Sequence, residues 1–167
     1  MKGYLILISL FFSFCANAQR DSSSAYDQML QEHYEFSVPF IYPDELYHRI
    51  TTGAKVVLLD TREQKEFEIS TIQGAQQVGF LFYSKKRVES LNKNDLIVVY
   101  CTIGARSETI GERLVKAGYT NVYNLYGGLI HWKNMGYPVY NNGVETKNVH
   151  VYSKKWELWL EKGNPVY

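Results

Sequence analysis

The stretch that decides the fold is Leu96-Ile97-Val98-Val99-Tyr100-Cys101-Thr102-Ile103-Gly104-Ala105-Arg106-Ser107. Its first five residues are apolar and mostly β-branched, which is typical of a buried strand. The strand ends at a cysteine, and a helical pattern begins at Ser107. Backbone N–H groups at the start of a helix stabilise negative charge and favour the thiolate form of a nearby cysteine. We therefore expect Cys101 to be a reactive thiolate at the carboxyl end of a central strand.

On both sides of this stretch, short apolar strands alternate with helical patterns. Further strands are predicted at 40–42, 56–59 and 121–125. This alternation favours an α/β fold with a mainly parallel sheet, in which ligands bind at the carboxyl ends of the strands. Asp60 and Arg62 follow one of these strands directly, so we expect them at the same edge of the sheet as Cys101.

The composition is that of one globular domain with additional residues at both ends. The chain has 167 residues, 46% of them hydrophobic, and a formal net charge of +1. A charge so close to zero gives no reason to expect binding to nucleic acid or to an anionic membrane surface.

The N-terminal segment 1–18 has the features of a secretory signal peptide. A short basic start precedes an apolar run over 4–14, and Ala16-Asn17-Ala18 resembles a cleavage site. These features predict a periplasmic or secreted protein. The alternative is a lipoprotein anchored at Cys15, but the bulky Phe14 stands where such signals carry a small residue.

Removal of this segment would leave Cys101 as the sole cysteine of the mature chain. Exported domains that use cysteine for stability carry an even number of them. Two interpretations of the remaining thiol stay open at this point. It is either a buried, inert side chain or a nucleophile.

Two extensions flank the predicted domain at residues 40–140. The N-terminal extension, 19–39, follows the signal segment, and the C-terminal extension covers 141–167. In the latter, aromatic and apolar side chains recur at helical spacing, namely Tyr152, Trp156, Trp159 and Leu160. We expect this aromatic helix to pack against the domain, with docking of a protein partner as the alternative.

Several motifs occur in order along 40–140. They are Asp60-x-Arg62 with Glu66-Phe67, Ile72-x-Gly74-Ala75, Cys101-x-x-Gly104-x-Arg106-Ser107, Gly118-Tyr119, and Gly127-Gly128 with Trp132, Gly136 and Pro138. Together they resemble the rhodanese family of sulfurtransferases. The resemblance implies a rhodanese-like three-layer domain with a mainly parallel central sheet and helices on both faces. Ser70-Thr71 and Gln73 depart from the Gly-His and Pro that often stand there in the family.

The resemblance also implies roles for the site residues. Cys101 would be the nucleophile that carries sulfur as a persulfide, and the following loop would bind anions through its N–H groups and one cation. That loop comprises Thr102, Ile103, Gly104, Ala105, Arg106 and Ser107. Arg106 is expected to face the pocket, with pairing to a carboxylate as the alternative. Asp60 and Arg62 would support the site, more as a structural pair than as chemical participants.

The resemblance implies a small sulfur-containing donor, such as thiosulfate or a persulfide, and a thiol or cyanide-like acceptor. No cofactor and no metal are expected. Thr102 stands where some thiosulfate-using members carry a basic residue. A phosphatase is disfavoured because related phosphatase loops place arginine six residues after the cysteine, whereas here it is the fifth. The alternatives are a non-catalytic binding module and a thiol- or redox-handling protein of the periplasm.

Overall fold

The computed structural model describes residues 25–167, so the predicted signal segment, Cys15 and the cleavage site near Ala18 lie outside the described residues. The chain divides after His33 into two compact units. In the first unit, residues 25–31 are helical and are called α1 here. The second unit spans Tyr34–Tyr167 and contains the elements described below. Within residues 25–167, no helix combines the length and the apolar character that spanning a bilayer requires.

A five-stranded parallel sheet forms the centre of the second unit. Its strands are β1 (Phe40–Ile41), β2 (Val57–Asp60), β3 (Gln76–Gln77), β4 (Ile97–Tyr100) and β5 (Val122–Leu125). The order across the sheet is β1-β5-β4-β2-β3, and every neighbouring pair is parallel. Asp60 lies beside Tyr100 in this register. The carboxyl ends of β2 and β4 therefore lie side by side, as the α/β interpretation predicts.

Helices alternate with these strands in the chain. They are α2 (Pro43–Thr51), α3 (Gln64–Ile69), α4 (Ala105–Lys116) and α5 (Gly128–Asn134). Ile97 and Val99 share a core cluster with Ile110 and Leu114 of α4. The intervening residues of β4 point to the opposite face and are also fully buried. A strand buried on both faces needs helices above and below it, which confirms the predicted three-layer α/β fold.

The C-terminal extension folds differently from its prediction. Its first strand, β6 (Val139–Asn141), begins two residues before the predicted start at 141. The elements that follow are β7 (Val144–Thr146), β8 (Asn148–His150), α6 (Lys154–Glu157) and β9 (Asn164–Val166). β6 and β7 form an antiparallel hairpin, and β8 pairs with β9 in parallel. The aromatic helix is therefore only four residues long. Tyr152 has a positive φ of 66° and Ser153 is extended, so the helix cannot begin before Lys154.

Candidate active site

Cys101 lies directly after β4, and its side chain meets the start of α4. The residue is only 1% exposed, and its Sγ accepts a hydrogen bond from the N–H of Gly104 at 3.2 Å. Gly104 is the N-cap of α4 and has a φ of 102°. The backbone thus curls in the left-handed region, which glycine adopts without steric penalty. This curl turns an N–H group at the head of the helix towards the sulfur.

The first turn of α5 holds the other side of the same loop. Leu129 N–H donates to the carbonyl of Cys101 at 2.9 Å, and Ile130 N–H donates to that of Thr102 at 3.1 Å. Gly128 permits this approach, since a Cβ there would lie 2.4 Å from the Cys101 carbonyl oxygen. Because α5 donates hydrogen bonds to the carbonyls of Cys101 and Thr102, these contacts hold the loop in one conformation around the sulfur.

The Tyr34 hydroxyl connects two parts of the site by hydrogen bonds, a role that the sequence did not predict. Its hydroxyl donates to the carbonyl of Ile103 and accepts the N–H of Gly127 at 2.9 Å. Burial raises the pKa of Tyr34 well above its ordinary value, with the charge of Cys101 acting in the same direction. The phenol therefore stays protonated and serves as a donor. It joins the Cys101 loop to the start of α5.

Ser107 and Asn124 form a second set of hydrogen bonds, which holds the backbone at Gly104. The Ser107 hydroxyl donates to Asn124 Oδ1 at 2.7 Å, and Asn124 Nδ2 donates to the carbonyl of Gly104 at 2.9 Å. Both side chains are fully buried. Ser107 was predicted in the anion-binding loop, and here its hydroxyl is engaged in holding that loop to β5.

Arg106 pairs with a carboxylate, the alternative that the sequence left open. Its Nη1 and Nη2 donate to Glu66 Oε2 and Oε1 at 2.8 and 2.7 Å, and Nη2 also donates to Thr102 Oγ1 at 3.1 Å. The Arg106 side chain keeps 19% of its surface exposed, so the guanidinium lies at the rim of the site. A two-pronged pair of this kind fixes the plane of the guanidinium.

The protonation states of this pair follow from its geometry. Burial opposes ionisation of Glu66, but the hydrogen bonds and charge of Arg106 outweigh it and bring the pKa of Glu66 below its ordinary value. Burial likewise opposes the charge on Arg106, yet Glu66 and Cys101 raise its pKa. The rim is consequently an ion pair that stays charged across the neutral range.

Asp60 and Arg62 form a fully buried ion pair at the end of β2. Arg62 Nε and Nη2 donate to Asp60 Oδ1 and Oδ2 at 2.9 and 2.6 Å, and Nη2 also donates to the carbonyl of Ser70. These contacts tie the strand end to the segment after α3. These hydrogen bonds go to the fold, whereas the buried Nη1 of Arg62 has no hydrogen-bond partner among the described residues. A purely structural role for the pair stays a prediction.

The remaining loop residues predicted for the site are placed around these groups. Thr102 and Ile103 are buried, and Ala105 opens α4. Within residues 25–167, no group of three or more His, Cys, Asp or Glu side chains has the arrangement of a metal site. The hydrogen bonds and ion pair described above can hold a sulfur nucleophile beside the Gly104 N–H, with one ion-paired cation, Arg106, at the rim.

Comparison with known proteins shows which family this chain resembles. A family model described as a rhodanese-like domain matches residues 42–135. A sulfurtransferase from Allochromatium vinosum is 32% identical over 96 residues, which cover 58% of this chain and 89% of that protein. A thiosulfate sulfurtransferase from Actinobacillus succinogenes is 31% identical over 99 residues, which cover 59% of this chain and 87% of that protein.

Other relatives are longer proteins, and the alignments span 25% and 51% of two of them. Among solved structures, the rhodanese-like domain of the Anabaena sp. Alr3790 protein matches with a TM-score of 0.57. That match covers 77% of this chain and 89% of the domain at 24% identity, so it bears on the fold alone.

Proposed function

The chain belongs to the rhodanese-like domain family, and from this membership we propose that it is a sulfurtransferase that carries sulfane sulfur on Cys101. The observation that carries the proposal is the hydrogen bond from Gly104 N–H to Sγ at the head of α4. A donor aimed at the sulfur stabilises the anionic forms that sulfur transfer requires. Relatives named as sulfurtransferases support the same reaction class.

With thiosulfate as donor, the proposed reaction has two steps. The Cys101 thiolate attacks the outer sulfur of thiosulfate, the S–S bond of the donor breaks, and sulfite leaves with the electron pair. Cyanide or a thiolate then attacks the outer sulfur of the persulfide and regenerates the Cys101 thiolate. Both protein forms are anionic, so the same amide and helix N-terminus stabilise each of them.

Within this proposal the rim residue Arg106 has an electrostatic role. Its side chain is paired with Glu66 and keeps 19% of its surface exposed, so it places a permanent positive charge at the rim, where that charge attracts an anionic donor. The loop residues Thr102 to Ser107 provide the anion-binding backbone. Thiosulfate and persulfides both remain candidate donors, and a thiol or cyanide-like molecule is the proposed acceptor.

The proposed place of action is the periplasm or the exterior of the cell, after cleavage near Ala18. The support is the basic start, apolar run and small-residue site in residues 1–18. Expression of the full chain in a secreting host should give a mature protein whose first residue is Gln19. N-terminal sequencing checks this, and retention of residues 1–18 on the exported protein would contradict it.

Intact mass spectrometry is the direct test of the reaction. The reduced, folded mature protein, which lacks residues 1–18 and hence Cys15, is incubated with thiosulfate, freed of donor and weighed. We expect a gain of one sulfur atom that cyanide removes as thiocyanate. The Cys101→Ser variant is the matched control and should gain nothing.

Two results would reject the proposal. One is the absence of any sulfur adduct with both thiosulfate and an organic persulfide. The other is an adduct that persists in Cys101→Ser. A gain of one oxygen in place of sulfur would point to the redox-handling alternative.

A further inference from the structure

The segment 149–153, which comprises the end of β8 and the residues after it, lies outside the family match and is anchored to two other parts of the chain. His150 N–H donates to Ser70 Oγ at 3.2 Å, and Val151 N–H donates to the carbonyl of Val166 at 2.9 Å. Val149 and Val151 are fully buried. The segment is therefore held on both sides, by the region after α3 and by β9.

This segment makes a sharp turn at Tyr152. The φ of Tyr152 is 66°, and Ser153 N–H donates to the carbonyl of Val151 at 2.7 Å. A positive φ with an i to i+2 hydrogen bond defines a rare and strained γ-turn. A strained conformation at a large aromatic residue persists only where its surroundings hold it in place.

His150 supplies part of that support. Its Nδ1 accepts the N–H of Tyr152 at 3.1 Å, so the imidazole closes the turn from the N-terminal side. Burial lowers the pKa of His150, so the imidazole is neutral at neutral pH, and the hydrogen bond from the Tyr152 N–H assigns the acceptor lone pair to Nδ1. The turn therefore fixes the direction in which the Tyr152 side chain leaves the backbone.

The turn brings the ring of Tyr152 against Arg106. The guanidinium carbon lies 4.7 Å from the ring centroid, while Glu66 binds the same guanidinium through both oxygens. Arg106 is thus restrained by a carboxylate and by an aromatic face. Tyr152 remains 57% exposed, so the contact lies at the open side of the rim.

We propose that Tyr152, turned by His150, is a positioning residue for Arg106 and sets the affinity of the site for an anionic sulfur donor. The inference rests on the proposed function, since it concerns the donor of that reaction. Glu66 accepts hydrogen bonds from both terminal nitrogens of the guanidinium, and contact with the Tyr152 ring restricts rotation of the guanidinium away from this position. A chain segment beyond the matched domain thereby contributes to donor recognition.

The test compares three variants in steady-state kinetics with thiosulfate and cyanide. Tyr152→Gly removes the ring and suits the positive φ, so the turn is retained. Tyr152→Phe keeps the ring. Leu158→Ala changes an exposed apolar residue of the same extension and is the matched control.

We expect Tyr152→Gly to raise KM for thiosulfate by about two- to five-fold, the effect of losing one exposed cation–π contact, with kcat unchanged. Tyr152→Phe and Leu158→Ala should match the wild type. An unchanged KM in Tyr152→Gly, or a raised KM in Tyr152→Phe, would overturn the role proposed for the ring and would leave the proposed function standing. Absence of turnover in the wild type would overturn both this inference and the proposed function.

Discussion

The central sheet and the C-terminal extension differ in what stabilises their strands. β4 is flanked by β2 and β5 and is buried on both faces, so its apolar run is enough to make it a strand. Besides the four-residue helix α6, the extension consists of three-residue strands that pair two by two, with one isolated bridge between Tyr140 and Thr71. Such short pairs are marginal by themselves and depend on what they pack against. The hydrophobic pattern of a short stretch of sequence therefore predicts the strands of the sheet well and those of the extension poorly.

The largest effect is expected from breaking the buried ion pair between Asp60 and Arg62 at the end of β2. Asp60→Ala leaves the charge of Arg62 buried without its carboxylate, which should lower the free energy of unfolding by about 3–5 kcal/mol. Urea denaturation measures this. The control is Glu45→Ala, which removes an exposed pair with Arg49 and should cost about 0.5 kcal/mol or less. Equal losses would show that burial does not distinguish the two pairs.

A smaller effect is expected at the loop that follows β4. Gly104→Ala and Gly118→Ala both place a side chain at positive φ, which costs about 1–2 kcal/mol each. Only at Gly104 would the new Cβ also meet Tyr34, at 2.4 Å from its hydroxyl, whereas nothing lies within 4 Å at Gly118. Gly104→Ala should therefore destabilise more and also slow persulfide formation. Identical stability and activity in the two variants would remove the role given to Tyr34.

A still smaller and more local effect is expected in the extension. Asn142 and Gly143 form the tight turn between β6 and β7, and Gly143 has a φ of 81° in open space. Gly143→Ala should destabilise this hairpin by about 1 kcal/mol, because only the backbone conformation is strained. Hydrogen exchange should accelerate at the Tyr140 amide, which donates to Thr71, and stay unchanged in β4. Acceleration in both regions would show that they unfold as one unit.

The smallest effect is expected from the titration of His150. Burial lowers its pKa, and the charges of Arg62 and Arg106 act in the same direction while Glu66 opposes them. The folded protein thus binds this proton less readily than the unfolded chain does. The corresponding stability is present above the ordinary histidine pKa and is lost as pH falls through the lowered one.

Protonation would also fill Nδ1 and remove the acceptor of the Tyr152 N–H. We therefore expect KM for thiosulfate to rise as pH falls through this window. His150→Asn, which offers an oxygen acceptor that does not titrate, should flatten that rise. The same pH profile in both proteins would assign the change to another group.

Much of the fold could be predicted because burial follows directly from the apolar runs. Examples are the strand before Cys101, the helix predicted to begin at Ser107, which begins two residues earlier at Ala105, and the parallel order of neighbouring strand ends. The hairpin at β6 and β7 was missed although Asn142-Gly143 between short runs is a turn signal. The aromatic helix was predicted too long because side-chain periodicity does not show that Tyr152 adopts a positive φ, which prevents the helix from including it.

The candidate site also contains features that the sequence could predict and features that it could not. The position of Cys101 and the surrounding loop could be predicted from the order of residues, since a strand end and a helix start are local features. Tyr34, Asn124, His150 and Tyr152 could not be linked to this loop, because they lie far from it along the chain. Glu66 was noted only as part of a motif, and its pairing with Arg106 depends on how α3 packs beside α4.

The amino-acid sequence by itself determined the layered α/β domain and the place of its one described cysteine, because hydrophobic periodicity and helix-start geometry act over a few residues. Tertiary structure decided which groups surround that cysteine. It engaged the rim arginine with Glu66, braced the loop with Tyr34, and brought Tyr152 of the extension onto the guanidinium. The physical reason is that ion pairs, buried hydroxyls and ring contacts depend on distances between remote segments, which no local pattern encodes.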